Sequence, residues 1–336
     1  PMTRAAIAKK TGISRPTISE SAQRLEKSGL VVETSRKTKN KQGRAGVIYE
    51  INAAKGLTLA IAIDVKQIQL RLTDLSLKVI RDQCFYIDPA WQQAELAEAI
   101  LRFIRLAVQD QSSPLLAIGI SVAVPVNSQT GEILALPYSK FSIIHGINFK
   151  ALLEEHFACP VTLDNDVNWA TLAEKSLGIA KNVSDFVFIY FGEGIGAGIY
   201  LDNHLIRGST GISGEIGHIM VNNKENLQDF VSNHHLQQAL EEGVDLTGHP
   251  AISQIGSTLA TIAAVINPKM FVLGGPMTKY PQFIPAIIKQ TQPQLFNEVS
   301  FIPSNAPNYA PLNGVQAGTY ELALSSFGLP SPPEAE

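Results

Sequence analysis

The sequence predicts an α/β protein in which a small basic winged helix-turn-helix precedes a larger acidic body. The chain has 336 residues, 45% of them hydrophobic, and so exceeds the ~100–200 residues of one typical domain. Residues 1–50 contain 11 Lys and Arg but 4 Asp and Glu, whereas the remainder contains 16 and 26. Beyond residue 56, strand and helix patterns alternate. A basic head on an acidic body is typical of a nucleic-acid-binding module joined to a part with another task.

The composition excludes several classes of protein. The longest apolar runs, such as the one that begins at Leu115, are shorter than the ~20 residues of a membrane span, and no secretory leader begins the sequence. Cys84 and Cys159 are far apart, which provides neither a disulfide framework nor a metal cluster. We therefore expect a cytoplasmic protein.

The head begins with two predicted helices separated by a tight turn. Gly12 ends the first helix, Ser14 can cap the second, and Pro16 fits the first turn of that helix. Gly29 stops the second helix and Leu30 follows it. The apolar positions that recur at helical spacing are Ala5, Ile7 and Ala8 in the first helix, and Ile18, Ala22 and Leu25 in the second.

This spacing is typical of a helix-turn-helix, whose second helix enters the DNA major groove. The exposed N-terminal part of that helix carries short hydroxyls and a guanidinium that can contact base edges. The predicted base-contacting residues are Arg15, Pro16, Thr17, Ser19 and Glu20.

Residues 31–52 predict two β-strands around a basic loop, which is the pattern of a wing. A run of charge by itself is a solvated surface as often as a phosphate-binding one, but the preceding helix-turn-helix favours phosphate contacts. The predicted phosphate-contacting residues are Arg36, Lys37, Lys39, Lys41 and Arg44.

The segment around "TGISRPTISE" (residues 11–20) resembles the winged helix-turn-helix of the ROK family of bacterial regulators and sugar kinases. The family's head usually has a further helix before this segment, and the sequence begins at Pro1 without it. The resemblance implies a DNA-binding domain over residues 1–52.

The body also resembles the ROK family. Two or three adjacent strands with polar turns are predicted near residues 57–80, strand, glycine turn and strand near residues 185–206, and a helix and strand that lead to Gly274 and Gly275. This doubled pattern is similar to the actin-like, ribonuclease H-like fold of ROK proteins, in which ligands lie between two lobes. The resemblance implies an effector and dimerisation domain over residues 57–325. The Pro-rich, acidic tail from residue 326 to 336 is expected to be disordered.

Two segments resemble the family's sugar-binding motifs. "LDNDVNWATLAEKSLG", from Leu163, implies that Asn165 is a sugar ligand and that Asp166 occupies the position of the family's general base. An Asn-Asp pair after a strand is by itself more often a helix cap. "RGSTGISGEIGHIMV", from Arg207, implies that Glu215 and His218 contact sugar hydroxyls.

The phosphate-binding segments depart from the family pattern. The family has roughly Asp-x-Gly-Gly-Thr after the first strand, whereas residues 64–67 are "DVKQ". The second loop, "GEGIGAGI", has Glu193 where a threonine is usual, and a carboxylate repels a phosphoryl group. The remaining glycines are weak indicators because any tight turn uses them. We therefore predict no catalytic residues and no nucleotide cofactor.

The family's structural zinc site is also altered. In most members three cysteines join the histidine that follows the "GE.GH" turn, and zinc favours such a tetrahedral set. No cysteine follows His218 in this sequence, and His234 and His235 could replace only part of the set. We predict no bound metal.

Three hypotheses follow for the function. The first is a DNA-binding transcriptional repressor that senses a sugar or sugar derivative and binds a palindromic operator as a homodimer or a dimer of dimers. The second is an ATP-dependent hexose kinase, which the altered phosphate segments disfavour. The third is a regulator controlled by a protein partner with no sugar effector.

Overall fold

The structure is a computed structural model that describes residues 1–34, 47–127, 129–134, 141–305 and 310–328. Within these ranges no helix has both the length and the apolar composition needed to cross a membrane.

The head has two helices and a three-stranded antiparallel sheet of order β1-β3-β2. Its elements are β1 (Met2–Thr3), α1 (Arg4–Thr11), α2 (Arg15–Lys27), β2 (Val31–Thr34) and β3 (Ile48–Ile51). The turn follows the prediction: Gly12 has a φ of 73°, and the Ser14 hydroxyl accepts a hydrogen bond from the Thr17 N–H at 3.3 Å. The helix-turn-helix and the two wing strands are therefore present as predicted.

The predicted apolar face of α1 is not a buried face. Ala5 is exposed, and no residue of α1 is fully buried. The buried residues of the described head lie in α2 and in the segments that follow it, at Ile18, Ala22, Leu30 and Tyr49. Part of α1 is exposed because the helix packs mainly against α2 and β1.

The first lobe of the body is built on a five-stranded sheet of order β10-β7-β4-β5-β6, in which β4, β7 and β10 are parallel and β5 is antiparallel to both neighbours. Its strands are β4 (Leu57–Ile63), β5 (Gln67–Asp74), β6 (Val79–Tyr86), β7 (Leu115–Val122), the short pair β8 (Val126–Asn127) and β9 (Glu132–Ile133), and β10 (Val161–Asn165). Its helices are α3 (Gln93–Val108), α4 (Phe149–Phe157) and α5 (Asp166–Ser176). Residues of α3 and α4 share one buried core with these strands.

The second lobe repeats this plan with a sheet of order β13-β12-β11-β14-β15. Its strands are β11 (Phe186–Phe191), β12 (Ile195–Leu201), β13 (His204–Ile206), β14 (Met270–Gly274) and β15 (Ser300–Pro303). Its helices are α6 (Leu227–Asn233), α7 (Leu236–Glu241), α8 (Pro250–Ile266) and α9 (Phe283–Thr291), and α10 (Ala310–Ser325) follows.

Helix α10 returns to the first lobe and packs on α5, β4 and β7. Gly314 and Gly318 permit this close approach, because a Cβ at either position would collide with Trp169 of α5. The Trp169 indole in turn donates a hydrogen bond of 2.8 Å to the backbone oxygen of Ile120 in β7. The start of α5, where Asp166 lies, is thereby fixed to the sheet.

The alternation of strands and helices predicted beyond residue 56 is present in both lobes. Helix α3 begins at Gln93 because Gln92 and Glu95 form a capping box before it. In the predicted tail, residues 326–328 form a turn after α10, and residues 329–336 lie outside the described residues.

Candidate functional site

A cavity of about 480 Å³ lies between the two lobes. All four predicted sugar ligands line it: Asn165 and Asp166 from the first lobe, and Glu215 and His218 from the second. The other lining residues with polar side chains are Asp64, Lys66, Asn168, Tyr190, Glu193, Ser213 and Gln228. The fold thus joins two motifs that are far apart in the sequence.

Asn165 and Asp166 lie where β10 passes directly into α5. The Asn165 side-chain oxygen and one Asp166 carboxylate oxygen both accept a hydrogen bond from the Val167 N–H, at 2.9 and 2.8 Å. The helix-cap interpretation of this pair is therefore right, and the pair also faces the cavity. A carboxylate has about four lone-pair positions, so capping leaves capacity for hydroxyl donors.

Burial raises the pKa of Asp166 to about 6. Hydrogen bonds from the Val167 N–H and from the Asn165 side chain oppose this shift, and the nearby charge of Asp64 adds to it. A carboxyl group with this pKa is an acceptor for hydroxyl groups at neutral pH, and it has the proton affinity expected of a general base.

Glycines bring Glu215 into the cavity. Gly211 and Gly214 have φ values of 86° and 92°, and a Cβ at either position would collide with a backbone carbonyl, that of Val126 or Ala197. The loop can therefore lie directly on β8 and β12 only with glycine at these positions. It continues into a 3₁₀ turn, Ile216–His218.

Glu215 and His218 form one polar group on this loop. The His218 Nε2 lies 4.0 Å from a Glu215 carboxylate oxygen, and both side chains are partly exposed to the cavity. Burial, and then the charge of Asp166, raise the pKa of Glu215 to about 7. Two carboxyl groups with raised pKa values thus face the same space.

An ion pair between a buried carboxylate and a partly exposed guanidinium connects the two motifs behind the cavity, and no local sequence motif marks it. Asp164 is 1% exposed, and its carboxylate accepts a 2.6 Å hydrogen bond from the Arg207 guanidinium. The same carboxylate accepts hydrogen bonds from the Asn165 N–H and the Asn168 amide, each at 2.8 Å. The backbone oxygen of Arg207 also accepts a hydrogen bond from the Ser213 N–H, in the loop that carries Glu215. The pair therefore fixes the end of β10 relative to the loop that carries Glu215.

Tyr190 and Gln228 also line the cavity, and the sequence did not predict either of them as a site residue. Burial, with the charges of Asp166, Glu193 and Asp64, raises the pKa of Tyr190 to about 12, so its hydroxyl remains a hydrogen-bond donor. The Gln228 side chain accepts a hydrogen bond of 3.3 Å from the Ile195 N–H. Neither residue belongs to a local motif, and only the three-dimensional fold identifies them.

Residues 64–67, which correspond to the family's first phosphate-binding segment, form a turn whose N–H groups are bound by a side chain of the same turn. One Asp64 carboxylate oxygen accepts hydrogen bonds from the N–H groups of Lys66 and Gln67, at 2.7 and 2.9 Å. Backbone N–H groups that are bound to a carboxylate cannot also bind a phosphate. Lys66 is exposed, and its ammonium lies 3.9 Å from the Glu193 carboxylate of the other lobe.

Packing explains three glycines of the other phosphate segments. Gly275 has a φ of 94°, and a Cβ there would collide with the backbone of Phe191. A Cβ at Gly274 would collide with the Phe188 ring, and one at Gly192 with the Tyr190 hydroxyl. These glycines are required by the fold itself and therefore do not indicate a nucleotide site.

The described residues do not fit the family's zinc site. Among them, no three His, Cys, Asp or Glu side chains are close enough to hold a metal ion. His234 uses its Nδ1 in a 2.9 Å contact with the Phe230 carbonyl, and His235 has a left-handed backbone with a φ of 53°.

The predicted DNA-contacting residues of α2 are placed as expected with one exception. Arg15, Pro16, Thr17 and Glu20 are exposed, whereas Ser19 is half-buried. Glu20 forms a 2.7 Å ion pair with Arg24, a residue that the sequence analysis did not select. The predicted wing residues Arg36, Lys37, Lys39, Lys41 and Arg44 lie outside the described residues.

Comparison with known proteins decides the family. The ROK family profile matches residues 58–234, just over half of the chain. The chain belongs to the ROK family. A winged helix-turn-helix DNA-binding profile matches residues 1–32, and both matches confirm the resemblances found in the sequence.

The similar proteins include regulators and kinases. The xylose repressor of Bacillus spizizenii is 27% identical over 96% of this chain and 92% of that protein. A ROK family transcriptional regulator, a homologue of the Escherichia coli MLC protein, superposes with a TM-score of 0.75 at 21% identity, over 97% of this chain and 94% of the regulator. The ROK hexokinase of Thermus thermophilus superposes with a TM-score of 0.66 at 20% identity, over 80% of this chain and 99% of the kinase. These similarities confirm the two-lobed ROK fold and the predicted class, a DNA-binding transcriptional regulator of the ROK type.

Proposed function

We propose that this protein is a transcriptional repressor that releases its operator when a sugar binds between the lobes. One observation carries the proposal: four residues of two separate sugar-type motifs line one cavity in a chain that also has a winged helix-turn-helix. The similarity to a xylose repressor supports a monosaccharide as the effector.

The proposed sugar contacts follow from the chemistry of the side chains. The carboxylates of Asp166 and Glu215 accept hydrogen bonds from sugar hydroxyls, and the Asn165 amide and the His218 ring orient the ring of the sugar. A small number of polar groups in a concave site is the usual means by which a protein orients a ligand. The size of the cavity, about 480 Å³, suits a monosaccharide.

We propose that the cleft does not phosphorylate the sugar. The raised pKa of Asp166 favours the rival hypothesis of a hexose kinase, because a general base should have a pKa near the working pH. Phosphoryl transfer, however, depends mainly on holding and neutralising phosphates. Here the Asp64 carboxylate occupies the N–H groups of its own turn, and Glu193 adds a negative charge.

For DNA binding, we propose that Arg15 contributes to sequence recognition and that the wing lysines contact phosphates. The operator is first selected from a pool of random duplexes. Arg15→Ala should then weaken operator binding about 10-fold and binding to unrelated DNA much less, since base contacts carry specificity. Lys39→Ala and Lys41→Ala should weaken binding to both DNAs similarly, and Lys181→Ala in the body should change neither.

The decisive experiment for the whole proposal is operator release. Fluorescence anisotropy of the selected operator is measured while D-xylose, D-glucose or N-acetyl-D-glucosamine is added, and one of them should release the DNA. Thermal shift with the same sugars gives an independent measure of binding. If no sugar stabilises the protein or releases the DNA, the proposal is wrong and the hypothesis of a protein partner gains support. Equal losses on both DNAs in Arg15→Ala would remove Arg15 from sequence recognition.

A further inference from the structure

Acidic side chains dominate the charge of the cavity. Four carboxylates line it, those of Asp64, Asp166, Glu193 and Glu215. Among the described residues that line it, Lys66 is the single lysine or arginine. Each lobe contributes two of the four carboxylates, so a ligand held between the lobes is close to negative charge on two sides.

Among the described residues, no lysine or arginine lines the inner part of the cavity, and its one histidine, His218, lies 4.0 Å from the Glu215 carboxylate. Asp166 and Glu215 are the carboxylates there, and each is partly removed from water. The closest guanidinium behind them, that of Arg207, is hydrogen-bonded to the buried Asp164 carboxylate and does not line the cavity. Its positive charge is therefore already compensated.

At the rim, the charge of Lys66 is compensated as well. Its ammonium is 3.9 Å from the Glu193 carboxylate, and both side chains are 80% exposed. An exposed pair of this kind is weak and flexible. It nevertheless leaves no excess of positive charge to attract an anion, and the net charge of the lining residues remains negative.

Building on the proposed sugar-binding function, we propose that this cavity selects unphosphorylated sugars, either neutral or with an amino group, and rejects sugar phosphates. A phosphate monoester carries between one and two negative charges near neutral pH. Placed among four carboxylates, it would experience repulsion, which is strengthened by partial exclusion of water near Asp166 and Glu215 and screened by water near the exposed Asp64 and Glu193. A hydroxyl at the same position of the sugar would instead donate a hydrogen bond to a carboxylate.

The test compares matched pairs of ligands. Dissociation constants are measured by calorimetry at pH 8 for D-xylose and xylose 5-phosphate, D-glucose and glucose 6-phosphate, and N-acetyl-D-glucosamine and its 6-phosphate. For the pair that binds, the neutral sugar should bind at least 10-fold more tightly than its phosphate. Higher salt should reduce that ratio because it screens the repulsion.

Three variants connect the ratio to the residues. Glu193→Gln should reduce the ratio about threefold because it weakens the repulsion of the phosphate, and Glu155→Gln, at an exposed helix position, should leave the ratio unchanged. Lys140→Gln, at a position outside the described residues, should also leave the ratio unchanged.

The outcomes separate this inference from the proposed function. Tighter binding of a sugar phosphate, or loss of phosphate binding in Lys140→Gln, would overturn the selection proposed here and leave the sugar-responsive repressor intact. Failure of every sugar and every phosphate to bind would overturn both proposals.

Discussion

The two ends of the cleft differ in how firmly their side chains are held. At the inner end, Asn165 caps α5. The ion pair of the buried Asp164 with Arg207 connects the end of β10 to the loop that carries Glu215. At the rim, Lys66 and Glu193 are exposed and meet in one weak ion pair. A precise ligand site needs side chains whose positions are fixed by packing and by further hydrogen bonds. The inner end has this support and the rim does not.

Under the proposed function, this difference is the physical basis for binding a sugar without phosphorylating it. Sugar binding requires a few hydroxyl-binding groups, and the scaffold that holds them is buried. Phosphoryl transfer requires free backbone donors and positive charge around the phosphates. In this chain the Asp64 side chain occupies those donors by forming a turn within its own segment.

The largest effect is expected from the scaffold of the inner end. Arg207→Met leaves Asp164 charged and buried, and removing one partner of a buried pair is costly. Because the Arg207 side chain is 35% exposed, we expect a loss of roughly 2–3 kcal/mol in the free energy of unfolding. Denaturant titration measures the loss, and Arg105→Met, whose ion pair with Glu98 is exposed, should cost under about 0.5 kcal/mol. Equal losses in both variants would show that the Asp164–Arg207 pair has no special role.

The next effect concerns Asp166 itself. Asp166→Asn keeps the size of the side chain and a capping oxygen but removes the charge that strengthens hydrogen bonds to hydroxyls. Such bonds contribute about 1.5–3 kcal/mol, so the dissociation constant of the effector should rise about 10- to 100-fold. Asp88→Asn at an exposed turn serves as the control. Sugar-dependent ATP turnover in the unmodified protein that disappears in Asp166→Asn would restore the kinase hypothesis.

The same contrast shows which features a sequence can predict. Gly12, Ser14 and Pro16 predicted the helix-turn-helix because helix ends are encoded locally. Asn165, Asp166, Glu215 and His218 were found because they lie in short motifs with a family resemblance. Asp164–Arg207, Tyr190 and Gln228 were not found, because their importance depends on contacts between segments that are distant in the sequence. The exposure of Ala5 was not predicted for the same reason, because the local sequence does not show which neighbouring elements cover a helix face.

A smaller effect is expected from pH. The ordinary pKa of Glu215 is 4.5 and that of Asp166 is 3.8, and burial raises them to about 7 and about 6. The folded protein therefore binds protons that the unfolded chain does not bind, so these groups make the protein less stable as pH rises towards 7. Sugar affinity should change in the opposite direction. Protonation below pH 7 removes charged acceptors, and the dissociation constant should rise about 10-fold between pH 8 and pH 5.5.

Calorimetry and thermal unfolding at both pH values test this pair of opposite trends. Glu215→Gln should weaken the pH dependence of both the dissociation constant and the melting temperature near pH 7. The two carboxyl groups interact, so each curve reports the pair and not one residue. The other titratable groups that face them are Asp64, Lys66, Tyr190, Glu193 and His218. If affinity and stability changed in the same direction with pH, the raised pKa values would not control the site.

At the rim, little change is expected. Lys66→Gln breaks an exposed ion pair that contributes about 0–1 kcal/mol, and Lys66 has no place in the proposed sugar contacts. The affinity for the neutral sugar and the melting temperature should both stay within measurement error of the unmodified protein. A loss of sugar affinity as large as that of Asp166→Asn would place Lys66 among the sugar ligands and remove the distinction between the two ends.

The smallest effect is expected from metal removal. In the family pattern, zinc supports the histidine of the sugar loop, whereas here backbone contacts fix that loop: a Cβ at Gly211 or Gly214 would collide with β8 or β12. A loop held by such packing does not need a tetrahedral metal site, and the described residues offer no set of three ligands. Elemental analysis should give well under one zinc per chain, and mild chelation should change neither sugar affinity nor the melting temperature. Stoichiometric zinc that resists chelation would contradict this prediction, and His234→Ala and His235→Ala would then identify its ligands.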